Sequence, residues 1–112
     1  MQHRQLARLF GALCFEERLQ IISALVSAGD EGLSTQALAE ITELPMSAVP
    51  IHIDYMVSTD MVKMRQTSTG KIFTADMGLL EALFTHMTEN YGAGLRRDES
   101  IVPALAILPS AS

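Results

Sequence analysis

Residues 33–76 read LSTQALAEITELPMSAVPIHIDYMVSTDMVKMRQTSTGKIFTAD, and turn signals divide this stretch into four short elements. Ser34 is an N-cap type residue placed directly before Thr35–Thr42, where Ala37, Leu38 and Ile41 recur at helical spacing. Glu43-Leu44-Pro45 interrupts the pattern. A second helix then runs to about Thr59 with Val49, Ile53, Met56 and Val57 on one side. Pro50 suits this helix if Ser47 is the N-cap, because first-turn residues donate no intrahelical hydrogen bond. Val62 and Met64 alternate with Lys63 and Arg65, as on a half-exposed strand. After the turn Thr67-Ser68-Thr69-Gly70, Lys71-Ile72-Phe73-Thr74 returns as its partner.

The flanking sequence is helical on both sides. Leu6, Leu9, Phe10 and Leu13 make one apolar stripe over residues 4–14. Phe15-Glu16-Glu17-Arg18 opens the next helix, its two acids favouring the positive end of the helix dipole. Leu19, Ile22, Leu25 and Val26 are its expected buried face, and the glycines of Gly29-Asp30-Glu31-Gly32 end it. Beyond the hairpin, Asp76 is placed to cap a helix from Met77 to Tyr91, with Leu80, Leu83, Phe84, Met87 and Tyr91 along one face. The expected architecture is mostly α, about five helices with a two-stranded β-wing, a winged helix-turn-helix. Such a fold presents its second motif helix to the major groove of double-stranded DNA.

The 112 residues suit one such domain, over residues 1–92. Residues 93–112 form an apolar extension, Ile101-Val102-Pro103-Ala104-Leu105-Ala106-Ile107-Leu108-Pro109, whose two prolines oppose a regular helix. An apolar run of this kind is expected to pack on its own dimer or on a partner protein. Hydrophobic residues are 48 % of the chain and aromatics 5 %, so the core must be built from aliphatic side chains and the seven methionines. No stretch approaches the roughly eighteen apolar residues of a membrane span, and the N-terminus lacks the apolar run of a signal peptide. A cytoplasmic protein is expected. The formal charge of −5 works against phosphate, although its distribution matters more than its total.

Leu9-Phe10-Gly11-Ala12-Leu13 followed by Glu17-Arg18-Leu19-Gln20-Ile21-Ile22-Ser23-Ala24-Leu25 resembles the opening signature of the ArsR-type winged-helix repressors. Leu38-Ala39-Glu40, then Val49 and His52-Ile53, is similar to that family's helix-turn-helix pattern. The resemblance spans Leu9 to Tyr91 and implies a homodimer joined through its first and last helices. Leu6, Leu9, Phe10, Leu13, Leu80, Leu83, Phe84, Met87 and Tyr91 would then line the interface. It also implies a DNA-binding transcriptional repressor with one reading head per subunit.

The reading head departs from that family's usual pattern. Ser, Thr, Gln and Arg are usual there; this chain has Met46, Ser47, Ala48, Pro50, Ile51 and Asp54, with Ile51 where an arginine commonly precedes His52. Bidentate readers of guanine or adenine are missing, leaving Ser47 and His52 for base contacts and DNA shape for the rest. The wing carries Lys63, Arg65 and Lys71, three of the eight basic residues, as candidate phosphate contacts. The helix start at Ser34-Thr35-Gln36 offers backbone donors to another phosphate. The rival reading is a degenerate, antirepressor-like head that binds a protein through Met46 and Ile51 or through the tail. Exposure of Ile51 would favour that rival.

Other chemistries have little support. Relatives that sense metals use cysteines on the third helix, where Thr35, Gln36 and Ala37 stand here, or an Asp-x-His with later ligands on the last helix. Asp76, His86 and Glu89 remain of that second set, but Gly78 stands where its first histidine would be, so no cofactor is expected. Cys14, the single cysteine, excludes an internal disulfide; as a redox switch it would have to meet its copy across a dimer. No nucleophile-and-base pair or phosphate loop appears, so an enzyme is not expected.

Overall fold

The computed structural model describes residues 2–90, with side chains described through Thr88. Five α-helices and one β-hairpin follow in the order α1 (His3–Leu13), α2 (Glu16–Ala28), α3 (Thr35–Thr42), α4 (Val49–Ser58), β1 (Val62–Thr67), β2 (Gly70–Ala75) and α5 (Met77–Asn90). A 3-10 turn over Gly29–Glu31 separates α2 from α3. The expected winged helix-turn-helix is present. Tyr91 and the extension over residues 93–112 lie outside the described residues, as does the side chain of Glu89.

One aliphatic core holds the helices together. Leu9, Ile21, Leu25, Leu38, Val49, Ile53, Met56, Met61 and Val62 are all fully buried. Removing the bulk of any one of them would cost about 2–5 kcal/mol, the transfer term plus a cavity. On α2 the buried set is Ile21, Ile22 and Leu25, while Leu19 and Val26 are exposed, a rotation of the expected stripe. Ile21 lies one residue off the Leu19-Ile22-Leu25-Val26 pattern, and its full burial sets the phase. On α3, Leu38 and Ala39 are buried and Ile41 is exposed, again against expectation.

The helix ends are made by identifiable groups. The Ala37 amide donates to Ser34 Oγ at 3.1 Å, the N-cap expected for α3. The Leu79 amide donates to Asp76 Oδ1 at 3.0 Å, the cap expected for α5. Ser47 does not cap α4. Instead, the Ala48 and Val49 amides both donate to the Pro45 carbonyl, at 2.9 and 3.3 Å. A turn over residues 46–48 feeds into the helix, with Pro50 in its first turn. The helix thus gets its first acceptor from the backbone of the turn, which frees the Ser47 hydroxyl from capping. Glu43 ends α3 in the left-handed conformation (φ 61°, ψ 21°), which makes the turn of the motif tight.

The hairpin pairs Val62 with Ala75 through Thr67 with Gly70, antiparallel and in register. Thr67 Oγ1 accepts from the Thr69 amide at 3.3 Å and donates to the Gly70 carbonyl at 2.7 Å, closing the tip. Only Val62 of β1 is buried; Met64 is exposed, because the strand leaves the core after its first residue. The sequence gives no sign of a third strand segment at the hairpin's root. There, Leu33 and Phe73 exchange amide-to-carbonyl bonds, both 2.9 Å. Gly32 (φ 69°) makes that approach possible: a Cβ there would collide with the Phe73 carbonyl and lie 2.7 Å from the Ile72 side chain.

Candidate nucleic-acid interface

The exposed arc of α4 and its entry turn carries Met46, Ser47, Pro50, Ile51, Asp54 and Tyr55, while Val49, Ile53 and Met56 point into the core. This division follows from helical period: residues 47, 51, 54 and 55 share one side, and 49, 53 and 56 the other. The arc is mostly apolar, with one acid. Ile51 is 69 % exposed, so most of an apolar side chain stands in water where covering it would be favourable.

His52, read from sequence as a base-contacting residue, is half-buried on the flank of α4. Its Nδ1 accepts a hydrogen bond from Arg18 Nε at 3.2 Å. The same guanidinium lies 4.1 Å from the centre of the Tyr55 ring and 4.5 Å from that of Phe15. His52 is therefore tied to α2 through one ring nitrogen, and only the rest of its ring remains for a ligand. At the far end of α4, Arg8 of α1 donates to the Ser58 carbonyl at 3.2 Å, meeting the negative end of the helix dipole. Sequence reasoning missed both arginines at the reading helix. Arg18 lies within the quoted opening motif, but nothing in its spacing says that α2 runs alongside α4.

The wing cations differ in their freedom. Lys63 pairs with Asp76 at 3.4 Å. Arg65 donates to the Glu31 carbonyl at 3.3 Å, tying the hairpin to the 3-10 turn. Lys71 is exposed and has no partner among the described residues. At the start of α3, the Ser34 hydroxyl is occupied as a cap, Thr35 is half-buried, and Gln36 is exposed and within 3.5 Å of Glu40 Oε1.

The expected dimer surface divides in two. Leu6, Leu9 and Leu83 are already buried in the core of a single chain. Leu13, Leu80 and Met87 pack against that core from its edge. These side chains are thus already covered within a single chain. Phe10 and Phe84 remain outside, 42 % and 72 % exposed.

Among the described residues no three His, Cys, Asp or Glu side chains are grouped to hold a metal ion. Asp76 is occupied with capping α5 and pairing Lys63, and His86 is half-buried on α5. Cys14 is exposed, its thiol donating to the Gly11 carbonyl at 3.0 Å. No helix among the described residues is long and apolar enough to cross a membrane.

A two-stranded wing, a helix-turn-helix and three further helices define the winged-helix class. Solved structures agree. An ArsR-like transcriptional regulator from a Rhodococcus species superposes with a TM-score of 0.71 at 22 % identity, covering 93 % of this chain and 92 % of its own. HlyU from Vibrio cholerae gives 0.63 at 25 % identity, over 81 % of this chain and 98 % of HlyU. NolR from Sinorhizobium fredii gives 0.62 at 22 % identity, over 80 % and 87 %. No family model and no curated protein matches the sequence. The chain has the fold of the ArsR-type winged-helix transcriptional regulators.

Proposed function

We propose that the chain is a cytoplasmic, homodimeric transcriptional repressor that binds double-stranded DNA. The observation that carries this reading is the uncovered arc of α4 on a fold that also bears a wing with Lys63, Arg65 and Lys71. Those cations would hold phosphates, with Lys71 the most readily available. Ser47 would meet base edges with its freed hydroxyl, and Ile51 offers an apolar contact of the kind that suits a thymine methyl. With no bidentate reader on the arc, sequence preference would come largely from DNA shape. The backbone amides at Ser34, Thr35 and Gln36 would add a phosphate contact at the start of α3.

Dimerisation would bring the exposed rings of Phe10 and Phe84 out of water and set two reading heads at a fixed spacing. As a repressor, such a dimer would act by occupying DNA that transcription requires.

The exposure of Ile51 beside Met46 favours a second reading, a protein-binding module on the same fold. Fluorescence anisotropy separates the two. Binding to DNA from the protein's own promoter region is compared with scrambled DNA at about 50 and 200 mM salt. Salt-sensitive binding that prefers the promoter sequence supports the repressor. Absence of binding at the lower salt rejects it in favour of the protein module.

A further inference from the structure

We propose that Arg18 is a preformed anchor for one backbone phosphate of bound DNA, a contact that rests on the DNA-binding reading above. Its guanidinium is fixed from three directions. The Phe15 and Tyr55 rings lie 4.5 and 4.1 Å from its central carbon, and its Nε–H is committed to His52 at 3.2 Å. The two terminal nitrogens make no hydrogen bond to any described residue. They form the planar fork that matches two oxygens of a phosphate.

The charge environment points the same way. The chain has thirteen acids against eight Lys and Arg residues, yet the half-buried Arg18 pairs with none of the described acids. A partly desolvated guanidinium gains from a counter-ion, and stacking on aromatic faces supplies only part of that. Among the described residues the fork has no oxyanion partner, and a DNA phosphate would supply one. Because the side chain is already immobilised, capturing one costs little further entropy.

Position selects phosphate over a carboxylate of an acidic peptide. Tyr55, one of the two stacking rings, lies one turn beyond Ile51 on the exposed arc of α4. When that arc enters a groove, a cation on its flank meets the phosphates that border the groove.

The test compares wild type, Arg18→Ala and Arg18→Lys by anisotropy on promoter and scrambled DNA over a salt series, with thermal unfolding by circular dichroism alongside. Arg18→Ala should weaken binding about tenfold on both DNAs. It should also flatten the log–log salt slope by about 0.9, the loss of one phosphate contact. Arg18→Lys keeps the charge but loses the fork, so it should weaken binding while retaining most of the slope. An unchanged slope in Arg18→Ala overturns the anchor. So does a loss confined to promoter preference, which would make Arg18 a positioning residue acting through His52. If Arg18→Ala unfolds, Arg18→Lys decides: wild-type affinity in a folded Arg18→Lys overturns the anchor. Failure of the wild type to bind any DNA is a separate result, and it removes the DNA-binding reading together with this contact.

Discussion

Asp76 combines two roles that one substitution separates. One oxygen caps α5 through the Leu79 amide at 3.0 Å, and the other pairs with Lys63 at 3.4 Å. Asparagine is as good an N-cap as aspartate, so Asp76→Asn keeps the cap and removes the ion pair. With Lys63 exposed and Asp76 half-buried, a surface pair of this kind is worth about 0.2–1 kcal/mol, so the fold should lose no more than about that. On DNA the sign reverses. In the wild type Lys63 must give up or share Asp76 to meet a phosphate, and that cost disappears in the variant. Returning about 0.2–1 kcal/mol to binding strengthens it roughly 1.4- to fivefold. The assay is anisotropy on promoter DNA at about 100 mM salt, where surface charges still interact over about 10 Å. Lys63→Ala and the double variant complete a mutant cycle, in which the gain from Asp76→Asn should shrink once Lys63 is absent. Equal or weaker binding by Asp76→Asn would refute the reasoning, and so would a gain that persists in full without Lys63.

Other consequences can be checked separately. Lys63→Ala with Arg65→Ala should weaken DNA binding and reduce the salt slope by up to about two contacts, read in the same titrations; unchanged affinity would remove the wing from the interface. Gly32→Ala should destabilise the fold by more than about 2 kcal/mol in urea unfolding, since it combines a left-handed φ with a collision at Phe73. Glu43→Gly should stabilise by about 0.5–1 kcal/mol, because a left-handed residue without a Cβ is unstrained. Phe84→Glu should convert the proposed dimer to a monomer with its helical content intact, measured by light scattering and circular dichroism; a dimer that persists would remove α5 from the proposed interface.

Elements written in local patterns were the legible ones. Caps at Ser34 and Asp76, breaks at Pro45 and Gly70, and the alternation around Lys63 and Arg65 all depend on neighbours within four residues. They placed the helices and the wing close to where they stand. Faces were harder. Ile21 shifts the buried side of α2, and Ile41 points outward, because apolar identity alone does not say which side another helix will cover. Tertiary contacts were invisible: nothing local announces that Arg8 and Arg18 reach α4, or that Leu33 joins the hairpin. The Ser47 cap failed for a related reason, since the Pro45 carbonyl was a competing acceptor within the backbone itself. Legibility of the candidate interface followed the same line. The wing cations follow from a local strand pattern, whereas the arginine beside α4 comes from a distant part of the chain.

The short bridge between Leu33 and Phe73 also bears on how the wing can vary in length. Its two bonds and the bare Gly32 rivet the hairpin's base to the start of α3, so the amides of Leu33 and Phe73 should be among the slowest to exchange with solvent outside the helices. The tip at Ser68 and Thr69 has no such fastening beyond Thr67. Added residues should therefore be accommodated at the tip, where they lengthen the wing without disturbing the helices. The same residues placed at the base would pull α3 out of line with α4. The hairpin can thus be extended at its end while the base that holds it stays constant.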